Sequence, residues 1–364
     1  MTSSELAGGE TGSGQGPPAT PALLVDLQVL RRNIERMAAA LDGGVALRPH
    51  VKSHKCLEIA RMQIAAGAIG VTTATVWEAQ AMAEGGIEDI LVANVVVGDQ
   101  KLALLMEIAA RTRLTVAVDD ARNARAISDA ATATGCEIGV LIDIDVGLGR
   151  TGVRSIGEGV GLAEAIGELE GLEVRGVMGY EGHVVHRVDR PERTRMAGEV
   201  DHIVLGLAAA LRERGIPVEV VSGGGTGTFD LTGRCDGYTE LQAGSYVFMD
   251  ATYEQVVGEF KSGLTVLATV VSRKGDTVVV DCGEKTVAEA GPPRLRDHET
   301  LGFRQSEEHY VIAAPPDNRL DLGDRVHVVP RHCCGTVNLH SRYYVVDDGE
   351  VVDTWPVLAR GSGR

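Results

Sequence analysis

A short basic segment, LRPHVKSHK at 47–55, contains the most closely spaced group of reactive side chains in the sequence. It follows an apolar run and holds Arg48, His50, Lys52, His54 and Lys55. Because alternate side chains of an extended chain point to the same side, the four residues at even positions are expected to lie together. Burial beside other cations favours the neutral amine of a lysine, which can then form an imine with a carbonyl group. A basic surface loop or a phosphate clamp would explain the same segment.

A glycine-rich segment, VVSGGGTGTF at 220–229, predicts an anion site. Consecutive glycines let backbone N–H groups converge on an anion, and the helix that follows would direct its dipole at the same point. The hydroxyl groups of Ser222, Thr226 and Thr228 add further donors. In barrels of the TIM type, phosphate is often bound after the late strands, which is where this segment falls. A tight turn is the alternative interpretation.

Two further segments carry groups that suit a ring-shaped cofactor. DIDVGLGRTGV at 143–153 places Arg150 in a glycine-rich loop, where it could bind an anionic oxygen of the ring or pair with Asp143 or Asp145. YEGH at 180–183 supplies a phenol, a carboxylate and an imidazole. Ordinary buried hydrogen bonds would account for each of these residues taken alone.

A possible metal site lies in VVPRHCCGTVNLH at 328–340. If this segment is an extended strand, His332 and Cys334 point in one direction and Cys333 in the other. An imidazole and a thiolate together suit zinc, with water or substrate completing the coordination. The alternative is a buried cysteine beside an unrelated histidine.

The elements that must position these segments follow a regular pattern. Short, continuous apolar runs are typical of strands buried on both faces, and stretches of helical length rich in Ala, Leu, Glu and Arg separate them. The pattern predicts an α/β fold with a (β/α)8 barrel of the TIM type, whose active site forms at the carboxyl ends of the strands. The apolar runs lie at 22–27, 45–51, 68–75, 89–97, 114–120, 138–146, 174–182 and 218–225, and seven or eight such units fit a closed barrel.

The pattern changes after about residue 255, where short alternating strands predict an antiparallel β domain without a helix of any length. The turns are expected at KGD (274–276) and DDGE (347–350). The predicted organisation is a tail at 1–18, which we expect to be disordered, a barrel at 28–255, and a β domain formed by 19–27 and 256–364.

Composition and charge limit the classes of function. The chain of 364 residues has 51 acidic and 35 basic side chains, and this net charge of −16 argues against nucleic acid or an anionic membrane as a partner. The six cysteines lack the spacing of a disulfide framework. We find neither a signal peptide nor the ~20 apolar residues that a membrane span needs, and we expect a cytoplasmic protein.

Together, the motifs RPHVKSHK, DVGLGRTGV, YEGH, SGGGTGT and PRHCCGTVNL resemble the fold-type III, alanine racemase-like enzymes that use pyridoxal phosphate (PLP). The similarity covers nearly the whole chain and is greatest to the branch of D-threonine aldolases and D-serine dehydratases. It implies that Lys52 is the Schiff-base lysine, that Arg150 lies beside the cofactor ring, and that Tyr180 approaches its pyridine side. The residues implied at the phosphate are Ser222, Gly223, Gly224, Gly225 and Thr226.

The resemblance also implies that His332 and Cys334 bind a divalent metal. Some aldolases of this group carry Asp at the position of Cys334 and bind manganese or magnesium, whereas zinc-dependent D-serine dehydratases carry Cys there. Cys334 therefore favours zinc, with manganese as the alternative. The tail TVNL…WPVLARG, in contrast, is closer to the bacterial aldolases.

The implied activity is that of a lyase acting on a β-hydroxy-D-amino acid. If His183, His50 or His54 removes the β-hydroxyl proton, D-threonine-type substrates undergo retro-aldol cleavage to glycine and an aldehyde. If Lys52 removes the α-proton, D-serine or 3-hydroxy-D-aspartate is dehydrated to a 2-oxo acid with release of ammonia. We favour the aldol cleavage. An amino-acid racemase, a non-catalytic PLP carrier and a barrel lyase without PLP are further alternatives, and a homodimer is expected because relatives often form one.

Overall fold

The computed structural model of the chain describes residues 18–288, 293–298, 302–313 and 319–361. The predicted tail at 1–18 lies outside these residues apart from Pro18. The strands form two sheets, one with eight parallel strands and one with nine mostly antiparallel strands. The described chain enters through β1 (Ala22–Asp26), which belongs to the nine-stranded sheet, and continues into helix α1 (Leu27–Leu41).

The parallel sheet curls into a barrel. Its strands are β2 (Ala46–Leu47), β3 (Val71–Thr73), β4 (Asp89–Val92), β5 (Arg113–Val118), β6 (Ile138–Asp143), β7 (Leu172–Gly179), β8 (Val220–Gly223) and β9 (Glu240–Leu241). They are arranged in the order β2-β9-β8-β7-β6-β5-β4-β3. The two outer strands meet through backbone hydrogen bonds from Ile69 to Leu47 (2.9 Å) and from Thr72 to Pro49 (2.8 Å). The predicted barrel-type fold is confirmed.

The run at 22–27 forms β1 in the second sheet, and the eighth strand of the barrel is β9, which has two residues and was not among the predicted strands. A strand this short has no apolar periodicity to reveal it.

Helices cover the outside of the barrel. They are α2 (Leu57–Ala65), α3 (Val76–Glu84), α4 (Asp99–Ala109), α5 (Ala121–Thr134), α6 (Ile156–Gly167), α7 (Arg190–Glu213) and α8 (Phe229–Thr232). Side-chain caps determine where several of them begin. Thr75 accepts from the N–H of Glu78 before α3, and Ser155 accepts from the N–H of Glu158 before α6 (both 3.2 Å). Both follow the sequence pattern Ser/Thr-x-x-Glu.

The remaining strands extend the second sheet. They are β10 (Leu264–Lys274), β11 (Thr277–Val280), β12 (Arg294–Leu295), β13 (Gly302–Gln305), β14 (Tyr310–Ala313), β15 (Arg325–Val329), β16 (Arg342–Asp347) and β17 (Glu350–Pro356). β1 lies between β10 and β16. The predicted hairpin at 347–350 is confirmed, because Asp347 pairs with Glu350 across Asp348 and Gly349, which both have positive φ angles.

A short helix, α9 (Cys333–Leu339), follows β15, and the prediction that this region lacks helices is therefore wrong. β15 ends at Val329 because Pro330 cannot donate to the strand ladder. The core is continuous through both sheets and almost entirely aliphatic. Among the described residues, no helix combines the length and the hydropathy needed to cross a membrane.

Candidate active site

A cavity of about 260 Å³ opens at the carboxyl ends of the barrel strands. Each strand except β5 supplies residues to its wall from the loop that follows it. The wall consists of His50, Lys52, Ser53, Ala74, Ala93, Asn94, Arg150, Thr151, Met178, Tyr180, Gly224, Gly225, Thr226, Gln242, Gly244, Ser245 and Tyr253. The cavity therefore lies where a barrel of this type places its active site.

Lys52 enters the cavity from a 3-10 turn, Val51–Ser53, between β2 and α2. The turn begins at His50, whose Nδ1 accepts from the backbone N–H of Lys52 (3.4 Å). The other lysine of the segment is already paired, since Lys55 Nζ lies 2.7 Å from the buried carboxylate of Glu78. Lys52 is thus the lysine that the described cavity wall contains.

The turn separates the basic residues that the sequence analysis placed on one side. Arg48 donates to Glu240 (2.8 Å) and Asp89 (2.6 Å). His54 is fully buried, and burial lowers its pKa to about 4. The expectation of one row of cations is therefore wrong, because the chain is not extended beyond His50.

Tyr180 lies between two cations. The centre of its ring is 5.2 Å from Lys52 Nζ and 5.4 Å from the guanidinium of Arg150. Burial raises the pKa of Tyr180 to about 12, so the phenol remains protonated at neutral pH. Of the two acids considered as partners of Arg150, Asp145 pairs with Arg154 and Asp143 accepts from Thr151 (2.7 Å).

The glycine loop has a shape that only glycine permits. Gly224 has a φ angle of 73°, and a Cβ there would lie 2.1 Å from Leu241 Cδ1. The buried carboxylate of Glu181 accepts from the N–H of Gly224 (3.2 Å), and Gly225 N–H donates to Thr228 Oγ1 (3.1 Å). These two N–H groups are therefore used within the protein, contrary to the expectation that the consecutive glycines converge on an anion.

Two other backbone segments offer donors to an anion. Thr226 and Ser245 each begin a 3-10 turn, and both line the cavity. The first N–H group of such a turn, that of Thr226 or of Ser245, has no partner within it, whereas the next N–H of the second turn, that of Tyr246, donates to Thr226 Oγ1 (3.0 Å). Gly244 allows the second turn to pack closely against the turn of Lys52, since a Cβ there would lie 2.5 Å from His50 O and 2.6 Å from Ser53 Oγ. The cavity offers donors for a phosphate group, a place for a ring beside Tyr180, and the amine of Lys52 for a carbonyl group. PLP carries a phosphate, an aromatic ring and an aldehyde, so it fits all three features.

Two of the predicted phosphate residues lie outside the described cavity wall. Ser222 is fully buried, donates to Glu240 Oε1 and accepts from Gln242 Nε2 (both 2.8 Å). Gly223 is the last residue of β8, and its carbonyl accepts from the N–H of Gln242 (2.9 Å). Both support the loop rather than face the cavity.

His332 and Cys334 lie at the start of α9, next to the cavity. His332 Nδ1 is 3.3 Å from the buried Asp250 Oδ2, and Cys334 Sγ is 3.4 Å from Ser53 Oγ. The predicted geometry of one strand is wrong, since His332 precedes the helix and Cys334 is within it. A carboxylate on Nδ1 is typical of metal-binding histidines, because it orients the ring and leaves Nε2 for the metal.

The surroundings of this pair favour a positive charge. Burial lowers the pKa of His332, but hydrogen bonds to Asp250 and Cys334 outweigh this effect and raise the pKa to about 10, so the ring holds a proton that a metal ion would replace. Hydrogen bonds from Cys333 and His332 hold the pKa of Cys334 well below its usual range, which favours the thiolate. Among the described residues, no three His, Cys, Asp or Glu side chains form a complete ligand set, so the pair provides two ligands.

The structure brings a histidine to the site that the sequence analysis missed. The ring of His186 lies 4.7 Å from that of Tyr253 and 6.4 Å from that of His332. Neither His186 nor the predicted His183 is part of the described cavity wall, but His186 contacts Tyr253, which is. His183 lies near Gly147 instead, and its buried Nδ1 has no hydrogen-bond partner among the described residues. The sequence signal for His186 is the second histidine of GHVVH (182–186), three residues after the last residue of YEGH.

The state of His186 suits a base. Burial and the nearby His332 lower its pKa, so the ring is neutral at neutral pH. The buried His50 also has a lowered pKa, mainly through burial and then through Lys52. The ring of His186 contacts that of His332, whereas no such contact is found for His50 among the described residues. His186 is therefore the better placed of these two bases.

Comparisons with known proteins agree with this arrangement. Residues 25–252 match the family model of the alanine racemase N-terminal domain, and residues 263–346 match a serine dehydratase domain. D-threonine aldolase from an Arthrobacter species is 41% identical, and the match covers 95% of this chain and 93% of that protein.

Solved structures are similar over the same length. D-threonine aldolase from Filomicrobium marinum is 39% identical with a TM-score of 0.92, covering 95% of this chain and 97% of that one. D-threo-3-hydroxyaspartate dehydratase from Delftia sp. HT23 is 32% identical with a TM-score of 0.84, covering 94% and 98%. The chain therefore belongs to the alanine racemase-like family of PLP enzymes, in the branch of D-threonine aldolases and hydroxyaspartate lyases, and it is a PLP-dependent lyase.

Proposed function

We propose that the protein cleaves β-hydroxy-D-amino acids of the D-threonine type between Cα and Cβ, giving glycine and an aldehyde. The observation that carries this proposal is the neutral imidazole of His186 beside the His332 and Cys334 pair. A base at this place can act on a substrate hydroxyl group oriented by a metal. The likeness to the D-threonine aldolases supports the same reaction.

In the proposed site, the cofactor is held by residues from several loops. Lys52 would bind it through its amine, Arg150 and Tyr180 would lie against its ring, and the turns at Thr226 and Ser245 would receive its phosphate. When bound, PLP supplies an electron sink for a bond broken at Cα. Glu181 orders the glycine loop through Gly224, so it acts on the phosphate end of the site without facing it.

His332 and Cys334 would hold a divalent metal, and zinc suits an imidazole with a thiolate. When bound, the metal supplies Lewis acidity toward a substrate oxygen. Asp250 fixes the orientation of His332 through Nδ1. Ser53 and Ser245, which contact the thiol of Cys334, also line the cavity, so the pair lies directly beside the place of the substrate.

His186 would accept the β-hydroxyl proton on an imidazole nitrogen. As the proton leaves, the Cβ–O bond becomes a carbonyl and the Cα–Cβ electron pair moves to Cα. The proton that Cα gains to give glycine balances the one that His186 takes from the hydroxyl group, and the aldehyde departs. Lys52, the lysine of the described cavity wall, would hold the cofactor between turnovers.

A dehydratase is the second candidate. The thiol of Cys334 favours it, because zinc-dependent D-serine dehydratases carry Cys at this position, and so does the likeness to D-threo-3-hydroxyaspartate dehydratase. In that reaction Lys52 would remove the α-proton and the β-hydroxyl group would leave, so the products would be a 2-oxo acid and ammonia.

Product analysis separates the two reactions. The PLP-loaded protein is incubated with D-threonine and with D-serine, with and without EDTA. We expect glycine and acetaldehyde from D-threonine, loss of turnover with EDTA, and recovery with zinc or manganese. A 2-oxo acid and ammonia without glycine would replace the aldolase by the dehydratase.

We further propose a cytoplasmic homodimer. The six cysteines, all within the described residues, are free thiols, which suits a reducing compartment. Light scattering on the purified full-length chain gives the oligomeric state, and a mass of one chain would contradict the dimer.

A further inference from the structure

Arg193, in the first turn of α7, is one of the largest fully buried side chains, with 1% of its surface exposed. Its guanidinium donates to backbone carbonyls: one nitrogen to those of Arg187 and Val188 (3.5 Å to the latter), the other to that of Val256 (3.1 Å). No described ion pair includes it. A buried cation that bonds only neutral groups is costly, so its place calls for an explanation.

The carbonyl groups belong to two segments that are far apart in the sequence. Arg187 and Val188 end the loop after β7, and His186 directly precedes them. Val256 ends the 3-10 turn that begins at Tyr253. The centres of the His186 and Tyr253 rings lie 4.7 Å apart. The two segments that Arg193 connects through their carbonyl groups are therefore also in contact through these side chains.

A second buried charge continues this connection. Asp250 accepts from the N–H of Tyr253 (2.9 Å) and from the N–H of Cys333 (3.0 Å). The turn at Tyr253 is therefore bonded on one side to the loop of His186 by Arg193. On its other side it is bonded to the start of α9, and hence to His332, by Asp250.

We propose that Arg193 is a positioning residue that fixes His186 relative to His332 by joining the two backbone segments between them. It lies outside the described cavity wall and acts through these carbonyl groups. The planar fork of a guanidinium reaches two segments at once, which the single ammonium of a lysine cannot do. The chemical consequence rests on the proposed function of His186, whereas the positioning itself does not.

The first test is hydrogen–deuterium exchange on the full-length, cofactor-free protein. In Arg193→Met we expect peptides over 183–189 and 252–257 to exchange about 10- to 100-fold faster, while other barrel peptides stay as in the wild type. Arg190→Met is the matched control, because Arg190 lies on the same helix, is exposed and pairs with Asp230. Unchanged exchange in either segment of Arg193→Met, or equal effects in Arg190→Met, would overturn the proposal.

The second test is kinetic. With D-threonine, Arg193→Met should lower kcat about 10- to 100-fold with KM within about threefold, because a misplaced base affects the transition state more than binding. Arg193→Lys should lie between it and the wild type. A change confined to KM would contradict the inference.

A rescue experiment covers the case in which Arg193→Met does not fold. Arg193→Ala leaves a cavity of guanidinium shape, and millimolar guanidinium should restore both kcat and the slow exchange of the two segments. Absence of rescue would count against the inference. A fully active His186→Gln would overturn the proposed function, while the exchange result would still decide the role of Arg193.

Discussion

The imidazole rings of His186 and His332 meet nearly edge to face, with their centres 6.4 Å apart. His186 has a lowered pKa and is neutral, whereas His332 is held by Asp250 and has a raised pKa. A proton acceptor and a metal-ligand candidate thus face each other beside the cavity that Lys52 enters.

Loss of the base should abolish most of the turnover. We expect His186→Gln to lower kcat for D-threonine about 100- to 10,000-fold, the range in which general bases contribute. The control is His183→Gln, three residues away, which should keep most of the activity because His183 lies near Gly147 and makes no ring contact with His332 among the described residues. Acetaldehyde release measures both. An equal loss in the two variants would argue against the role of His186.

Only one lysine of the basic segment should carry the cofactor. Borohydride reduction of the PLP-loaded protein should leave the cofactor on the peptide that contains Lys52, as seen by mass spectrometry. Lys52→Ala should remove this adduct together with the visible absorbance. Lys55→Arg should retain both, because Lys55 is paired with Glu78. An adduct on another lysine would contradict the proposed site.

The side chain at position 334 should select the metal. Cys334→Asp replaces a soft ligand by a hard one, so we expect activation by manganese to exceed activation by zinc in this variant. Cys136→Ala should keep the preference of the wild type, since Cys136 lies just before β6, at the end of the barrel opposite the cavity, and its thiol donates to the carbonyl of Met106 (3.7 Å). Activity after EDTA treatment and addition of single metals measures the effect. A metal preference that does not change would separate Cys334 from the metal.

The glycine loop should tolerate a methyl group at one position better than at its neighbour. At Gly224 an alanine would have an unfavourable φ angle of 73° and a Cβ 2.1 Å from Leu241. At Gly225 the nearest contact is Val185 Cγ1 at 3.0 Å, with a φ angle of −151°. We expect Gly224→Ala to lower the free energy of unfolding by about 1–3 kcal/mol more than Gly225→Ala. Equal urea midpoints would contradict this ordering.

Asp143 should make stability fall as the pH rises. Burial raises its pKa from 3.8 to about 6, despite the hydrogen bond from Thr151. The folded chain therefore binds this proton more tightly, and the resulting stability is complete below pH 3.8 and is lost as the pH rises through about 6. Asp143→Asn should thus gain up to about 3 kcal/mol relative to the wild type between pH 4 and pH 7.

Urea unfolding at several pH values measures this gain, and Asp145→Asn is the control. Burial raises the pKa of Asp145, but the N–H groups of Gly149 and Gly147 lower it more. The control should therefore lose stability at neutral pH relative to acid pH, in the opposite direction. Parallel pH profiles for the two variants would contradict the assignment.

Local patterns in the sequence predicted most of the barrel and the face on which the cavity opens. The polar residues that follow the predicted strands were enough to identify this face, because parallel strands bring their carboxyl ends together. The helix α9 could not be predicted from periodicity, because it has only seven residues and closely follows β15, which ends before Pro330. The choice between His183 and His186 depends on how the loop after β7 packs against Tyr253, and no local pattern encodes that contact.

The placement of Arg48 and Ser222 shows the same limit. Both side chains donate hydrogen bonds to Glu240, which lies 192 residues after Arg48. Their orientation therefore depends on a residue of β9, a strand that could not be predicted from the sequence. Pairing of this kind emerges only when the barrel closes.

The buried carboxylate of Glu240 also fixes the direction of the hydrogen bonds between neighbouring strands of the barrel. Glu240 receives hydrogen bonds from Arg48 and from Ser222, so the hydroxyl proton of Ser222 is committed to the carboxylate. The oxygen of Ser222 can then only accept, and it takes the amide NH2 of Gln242. Gln242 lines the cavity, and one of its two amide N–H groups is committed to Ser222. The guanidinium of Arg48 thereby fixes, through two intervening residues, the orientation of the Gln242 amide at the cavity.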